Sequence, residues 1–322
     1  MKTKLSLFLS LLIFLLLPLL AVNTEARASI KIAAGISPLE TFVQKVGGEN
    51  VETMTMIPQG YSPTNYAPNA AEMRKISEVQ LYFTFVMPAE KANILPEIDS
   101  FNNEIEIIKL NDIIAEKYEP RYFGEKQTTD EKNTSQDNDH NQEEHEEEEE
   151  ENSHNHSAGE IDPHIWLSPQ RVIYVVEIIA EKLSEIDPDN REYYQENAAE
   201  YQAELEKMAQ EIKEKLAPIK GQTIFIYHPV IGYFTDEYDL EMEAIEKNGK
   251  KATPKRLQEL IDLASKKNIR AVFHQASVDS KQTSVLASEI GAETVEITPL
   301  HRDYIASMKE IANLIYEYRT PE

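Results

Sequence analysis

Cysteine is absent from the 322 residues, and tryptophan occurs once. Without cysteine there is no disulfide, no thiolate metal ligand and no cysteine to carry an N-terminal lipid anchor. Any bound metal must be held by nitrogen and oxygen. Positive charge is also scarce: 32 Lys and Arg stand against 57 Asp and Glu, a formal net charge of −25. That sign opposes a phosphate backbone, so no nucleic-acid partner is expected. Hydrolase signatures are missing as well, with no H-E-x-x-H pair and no nucleophile elbow.

One long apolar run is present, from Leu5 to about Val22, behind Lys2 and Lys4 and ahead of Ala26-Arg27-Ala28. A basic start, an apolar middle and an A-x-A end read as a secretory signal peptide over residues 1–28, with an uncleaved membrane anchor as the other reading. The protein is therefore expected outside the cytoplasmic membrane, in a periplasm or at the cell surface.

The body of the chain alternates strand and helix patterns. SIKIAAG, NVETMTMIP, VQLYFTFV and NEIEIIKL read as strands, with helices over SPLETFVQKVGG, where Ser37 is the expected N-cap, and APNAAEMRKISE. SPQRVIYVVEIIAEKLSEI is an amphipathic helix with Val172, Val175, Val176, Ile179, Leu183 and Ile186 on one face. A longer helix runs from about Pro188 to Leu216, roughly 40 Å at 1.5 Å per residue. QTIFIYHP, IRAVFHQ and TVEITPL then read as strands, between helices over TPKRLQELIDLASKKN, SKQTSVLASEIGA and HRDYIASMKEIANLIYEYR. The fold class is α/β: two lobes with mostly parallel sheets joined by one long interlobe helix, a clamshell of limited hinge motion. The expected divisions are an N-terminal lobe at 29–124 completed by 161–187, an acidic loop at 125–160, the linking helix at 188–218 and a C-terminal lobe at 219–322. Ligands in such folds sit at the carboxyl ends of the strands, between the lobes.

The loop at 125–160 holds 14 acidic residues against Lys126 and Lys132. It is too hydrophilic to bury and reads as disordered. Its core, HNQEEHEEEEEENSHNH, carries His140, His145, His154 and His156, half of the eight histidines. Carboxylates and spaced imidazoles at that density suit transient, low-affinity collection of metal ions, and the competing reading is a solvated linker. The other four histidines are His164 in GEIDPHIWLSP, His228 at the end of QTIFIYHP, His274 in IRAVFHQ and His301 after TPL. Asp162-Pro163-His164 is a stiff tripeptide, and Asp162 is placed to orient the imidazole.

DPHIWLSP followed by YHPVIGYFTDEYDLE resembles the substrate-binding proteins of zinc and manganese ABC importers, the ZnuA/TroA type. The resemblance extends through GYSPTNYAP, EKANILPEI, TPKRLQELIDLASKKNIRAVF and ASEIGAETVEITPL, nearly the whole chain after residue 28. It implies a divalent metal, Zn²⁺ ahead of Mn²⁺, bound between the lobes by His164 and His228, and delivery to the membrane permease and ATPase of an ABC importer by a monomeric, non-catalytic receptor. Two further positions depart from the family pattern: Thr64 and Thr298 stand where a histidine and a carboxylate are expected. His274, a loop histidine or water is then needed to complete the shell. Asn65 and Tyr66, beside Thr64, are candidate cleft residues that would hydrogen-bond a non-metal ligand. The other readings are a zinc-dependent hydrolase, a metal-buffering or adhesion protein, and a receptor for a small non-metal ligand on the same fold.

Overall fold

The computed structural model describes residues 29–123, 159–247, 249–276 and 281–319. The signal segment and His140, His145, His154 and His156 lie outside the described residues. Among the described residues no helix is long and apolar enough to cross a membrane.

The first sheet contains β1 (Ile30–Ile36), β2 (Val51–Ile57), β3 (Leu81–Thr84) and β4 (Glu106–Lys109) in the order β2-β1-β3-β4, all parallel. The second contains β5 (Thr223–Ile226), β6 (Glu241–Ala244), β7 (Ala271–Gln275) and β8 (Glu293–Ile297) in the order β6-β5-β7-β8, again all parallel. The two lobes repeat one winding. In each, the chain leaves the first strand toward one edge and then crosses to the other, opening a crevice at the carboxyl ends of the two central strands. Central strands are apolar along their length, as burial on both faces requires: Ile32, Ala33, Ala34 and Ile36 of β1, and Ile224, Phe225 and Ile226 of β5, are almost wholly buried.

Helix α1 (Ser37–Gly47) follows β1 with Pro38 in its first turn. Ser37 is not its cap: the cap position is Ile36, with no side-chain hydrogen bond, and Ser37 is buried inside the first turn. The helix stops at Gly48, which has φ 54° and lies so close to Tyr193 that a Cβ there would fall 2.1 Å from the hydroxyl. Both facts require glycine. Short helices α2 (Ala70–Arg74), α3 (Ile98–Phe101) and α4 (Leu110–Lys117) complete the first half of the lobe. In α2, Asn69 and Glu72 form a reciprocal capping box.

Helix α5 (Pro169–Ile186) starts at Ser168, whose Oγ accepts from Arg171 N at 3.2 Å. Its expected apolar face is buried except at Ile186, which is 38% exposed in the last turn, past the edge of the core. Helix α6 (Arg191–Leu216) buries Tyr194, Ala198, Tyr201, Leu205, Met208 and Ile212, a stripe at helical spacing. Its 26 residues span about 39 Å. Helix α7 (Gly232–Glu237) and strand β6 are left unmarked by the sequence patterns. Helix α8 (Pro254–Lys267) is capped by Thr253, and α9 (Lys281–Ile290) and α10 (Tyr304–Arg319) close the second lobe.

The lobes meet in a hydrophobic cluster that runs through α6 and α10, and a second cluster lies within the second lobe. Polar contacts fix the seam. Trp166 Nε1 donates to Pro299 O at 2.9 Å, and Tyr304 Oη donates to Trp166 O at 2.8 Å. Glu237 of α7 accepts from Ser168 Oγ and from Gln170 N, so a carboxylate of the second lobe caps a helix of the first. Such an anion suits a helix N-terminus. Burial pushes the Glu237 carboxyl above its ordinary range, and those two donors pull partly against it.

Candidate metal centre

His164 and His228 come from opposite sides of that seam. His164 ends the Asp162-Pro163-His164 tripeptide just before the turn Ile165–Leu167 that leads into α5. His228 lies two residues beyond β5, before α7. Their rings meet edge to face with centroids 5.3 Å apart at 79°, and the two residues are 2% and 3% exposed. Trp166, at 5.3 Å, and Phe123, at 6.1 Å, wall the His164 ring.

A carboxylate stands behind each imidazole. Asp162 Oδ1 accepts from His164 Nδ1 at 2.7 Å and from His164 N at 3.0 Å. Its other oxygen takes Arg121 Nη1 at 3.1 Å. Burial raises the Asp162 carboxyl, but His164 and Arg121 together outweigh it and hold the group below the usual carboxylate range. Arg121 also bonds Asp236 Oδ2 of α7 at 3.1 Å, and its own N–H donates to Tyr233 Oη at 3.1 Å. Behind His228 lies Glu246, whose Oε1 is 3.3 Å from Nδ1. The β5–β6 pairing continues past the strand ends, with Ile245 N bonded to Ile226 O and Glu246 N to Tyr227 O, each at 2.9 Å. That register sets Glu246 beside His228.

Imidazole nitrogens suit a borderline metal ion better than a hard one.

The remaining expected residues are arranged differently. Thr64 is half-buried on the loop after β2, with its Oγ1 2.7 Å from Ser62 Oγ. Asn65 is exposed. Tyr66 is buried, packs edge-on to Tyr61, and its hydroxyl is pushed up to about 12 by burial and by Glu72. Thr298 lines a crevice of about 150 Å³ with Gly60, Tyr61, Gln275 and Pro299. His274 precedes Gln275 on β7, and neighbouring strand residues point to opposite faces; it is Gln275 that reaches the crevice. His301 is exposed, and its Nδ1 accepts from Asp303 N at 3.0 Å. Among the described residues no three His, Asp or Glu are grouped to hold a metal.

Sequence reading misses Glu246 and Arg121. Alternating Leu240, Met242 and Ala244 was the available signal for a strand that carries Glu246 onward, but its partner is set only by sheet register.

The family model described as ZnuA, "Zinc-uptake complex component A periplasmic", matches residues 32–318. The zinc-binding lipoprotein AdcA of Streptococcus pneumoniae is 28% identical over 299 residues, covering 92% of this chain and 55% of that protein. A putative metal-binding protein of Treponema pallidum is 24% identical over 309 residues, covering 92% of this chain and 90% of the relative. The crystal structure of a ZnuA deletion mutant with zinc bound is 27% identical with a TM-score of 0.76, covering 92% of this chain and 100% of that one. This chain thus spans about half the length of AdcA. AdcA is named a lipoprotein, a property of that protein; this sequence contains no cysteine.

Proposed function

The chain belongs to the ZnuA family of periplasmic zinc-uptake components, and from that premise we propose that it is an extracytoplasmic receptor that captures Zn²⁺ between its lobes and hands it to the permease and ATPase of an ABC importer. The observation that carries this reading is the pair of buried imidazoles, His164 and His228, supplied from opposite sides of the seam with rings 5.3 Å apart. Each is backed by a carboxylate. Nitrogen donors in a dry cleft favour Zn²⁺ over Mn²⁺, which prefers oxygen. The hydrolase, buffer or adhesin and non-metal readings are not favoured beside relatives named for zinc binding.

The receptor acts as a monomer and performs no covalent chemistry. Its work is to desolvate the ion, hold it by two imidazole rings fixed from behind, and release it when the membrane complex separates the lobes. The acidic histidine-rich segment collects ions nearby at low affinity.

Zinc titration of the exported protein tests this. The His164→Ala/His228→Ala variant is expected to lose the tight site, and a variant shortened between residues 124 and 158 to keep it while losing weak sites. A tight site that survives the double substitution overturns the assignment.

A further inference from the structure

The crevice of about 150 Å³ is bounded by Gly60 and Tyr61 of the first lobe and by Gln275, Thr298 and Pro299 of the second. No Asp, Glu, Lys or Arg lines it, although the chain carries a formal net charge of −25. Gln275 is 5% exposed, yet among the described residues its side-chain amide has no hydrogen-bond partner. Outside the sheet only its carbonyl is engaged, 3.4 Å from His274 Nδ1. The Thr298 hydroxyl likewise has no partner among the described residues. The Thr298 carbonyl takes Ser307 Oγ at 2.8 Å and His301 N at 3.2 Å. A buried amide left unmatched is costly and uncommon, so its place in an uncharged crevice points to a ligand that completes it. The space is far more than one water needs. It also adjoins the metal centre. Ile226 pairs with Phe273 across β5 and β7; His228 stands two residues beyond the one and Gln275 two residues beyond the other. Neighbouring strands lie about 4.8 Å apart, so His228 and the crevice share the carboxyl edge of one sheet.

We propose that this crevice is a second subsite of the receptor, for a small α-amino carboxylate that enters as a chelate of the metal ion. The inference rests on the zinc-receptor reading above. An amide donates to a carboxylate oxygen through its NH₂ and accepts from an amino N–H through its carbonyl, and a hydroxyl can do either. Gln275 and Thr298 thus match both ends of an amino acid. Charge narrows the class. With no cation in the lining, a multiply charged acid such as citrate would bring unpaired charge into a dry place. A chelated amino carboxylate shares its single charge with the ion. With no carboxylate in the lining, that anion meets no like charge at close range. The amino nitrogen and one carboxylate oxygen hold the ion, and the other carboxylate oxygen is left for Gln275. Because the crevice is lined from both lobes, the chelator and the ion are captured together and each favours the other.

The test is equilibrium dialysis of labelled glycine, the smallest such chelator, against the full exported chain with free Zn²⁺ held constant by a metal buffer. A single glycine site per chain is expected with zinc, and retention weaker by about tenfold without it; by linkage, glycine should tighten zinc binding by the same factor. Gln275→Ala/Thr298→Ala should weaken glycine retention by about tenfold or more, the loss of two hydrogen bonds, with zinc affinity in glycine-free buffer unchanged. Gln275→Glu is nearly the same size and sets a negative charge against the carboxylate, so it too should reject glycine. Zinc binding in glycine-free buffer shows that both variants are folded. Four results each overturn the proposal: no glycine retained by the zinc-loaded parent, equal retention with and without zinc, parental retention in either variant, or loss of zinc binding by Gln275→Ala/Thr298→Ala in glycine-free buffer. Zinc titration of His164→Ala/His228→Ala separates the two readings. A tight site surviving there removes the zinc-site assignment itself, whereas its loss there, alongside a zinc-loaded parent that retains no glycine, removes only the chelator subsite.

Discussion

Replacing Arg121 with alanine should weaken the seam between the lobes without weakening the zinc centre. Arg121 joins three parts of the molecule: its own strand segment, Asp162 behind His164, and Asp236 on α7. The Asp162 carboxylate is wholly buried and the arginine side chain is 22% exposed. Removing one partner of a fully buried pair costs about 3–5 kcal/mol. Here Asp162 keeps its two bonds from His164, and water reaches one side of the guanidinium, so about 2–3 kcal/mol is appropriate. The Asp236 side chain is 60% exposed, and that contact adds less than about 1 kcal/mol. A loss of roughly 3 kcal/mol in a chain of this size corresponds to a melting temperature lower by about 4–5 °C. Scanning calorimetry on the zinc-free protein measures it. Because Asp162 still holds Nδ1 of His164, zinc affinity should not fall, and removing a nearby positive charge acts in its favour. A melting shift no larger than that of an ordinary surface pair, or a large drop in zinc affinity, would refute this account of Arg121.

Four further outcomes follow from the geometry. Zinc at a hundredfold excess over its dissociation constant should stabilise the protein by about 2.7 kcal/mol, and a chelator should reverse the rise in melting temperature. The single tryptophan, Trp166, is fully buried with its ring 5.3 Å from His164; its emission should change on zinc addition in the parent and stay constant in His164→Ala/His228→Ala. Tyr82→Phe removes a donor to the wholly buried Glu90 and should cost about 1–3 kcal/mol by denaturant unfolding. Burial holds the Glu90 carboxyl above its ordinary range, and Tyr82 partly opposes this; a raised carboxyl loses stability as pH rises from the unfolded toward the folded value, so Tyr82→Phe should be costlier at about pH 7 than at about pH 4. Gly35→Ala would set a Cβ 2.1 Å from Glu90 Oε1, so it should destabilise by about 1–3 kcal/mol or more, and Glu90→Ala in the same chain should recover part of that loss.

The strand and helix alternation made the two lobes legible because parallel sheets buried on both faces read as short apolar runs between amphipathic helices. His164 and His228 stand out in the sequence for a related reason: His228 follows the end of an apolar strand and His164 precedes an apolar turn and helix, each beside a proline that stiffens the backbone. What escaped depends on separations that no local pattern encodes. Glu246 lies 18 residues from His228 and reaches it through the register of a strand too short to show strong alternation. Arg121 reaches Asp162 across 41 residues, most of them the acidic segment. The cap of α1 fell at Ile36 because Ser37 is drawn into the buried first turn, where packing overrides the usual preference for a hydroxyl at that position.

The short bridge Tyr122–Ile161 has a consequence for how this protein can change over generations. Phe123 N bonds Glu160 O, Gly159 N bonds Phe123 O, and Asp162 N bonds Arg121 O, so the two ends that flank residues 124–158 are pinned side by side as one closed doorway. Closing a chain between two fixed ends grows costlier only with the logarithm of its length, by about 0.6 kcal/mol for each doubling. The histidine and carboxylate content of that segment is therefore a quantity that lineages can adjust to the local supply of metal by insertion and deletion. The same doorway is a grafting port, where foreign sequence of many lengths can be spliced with little debt to the fold.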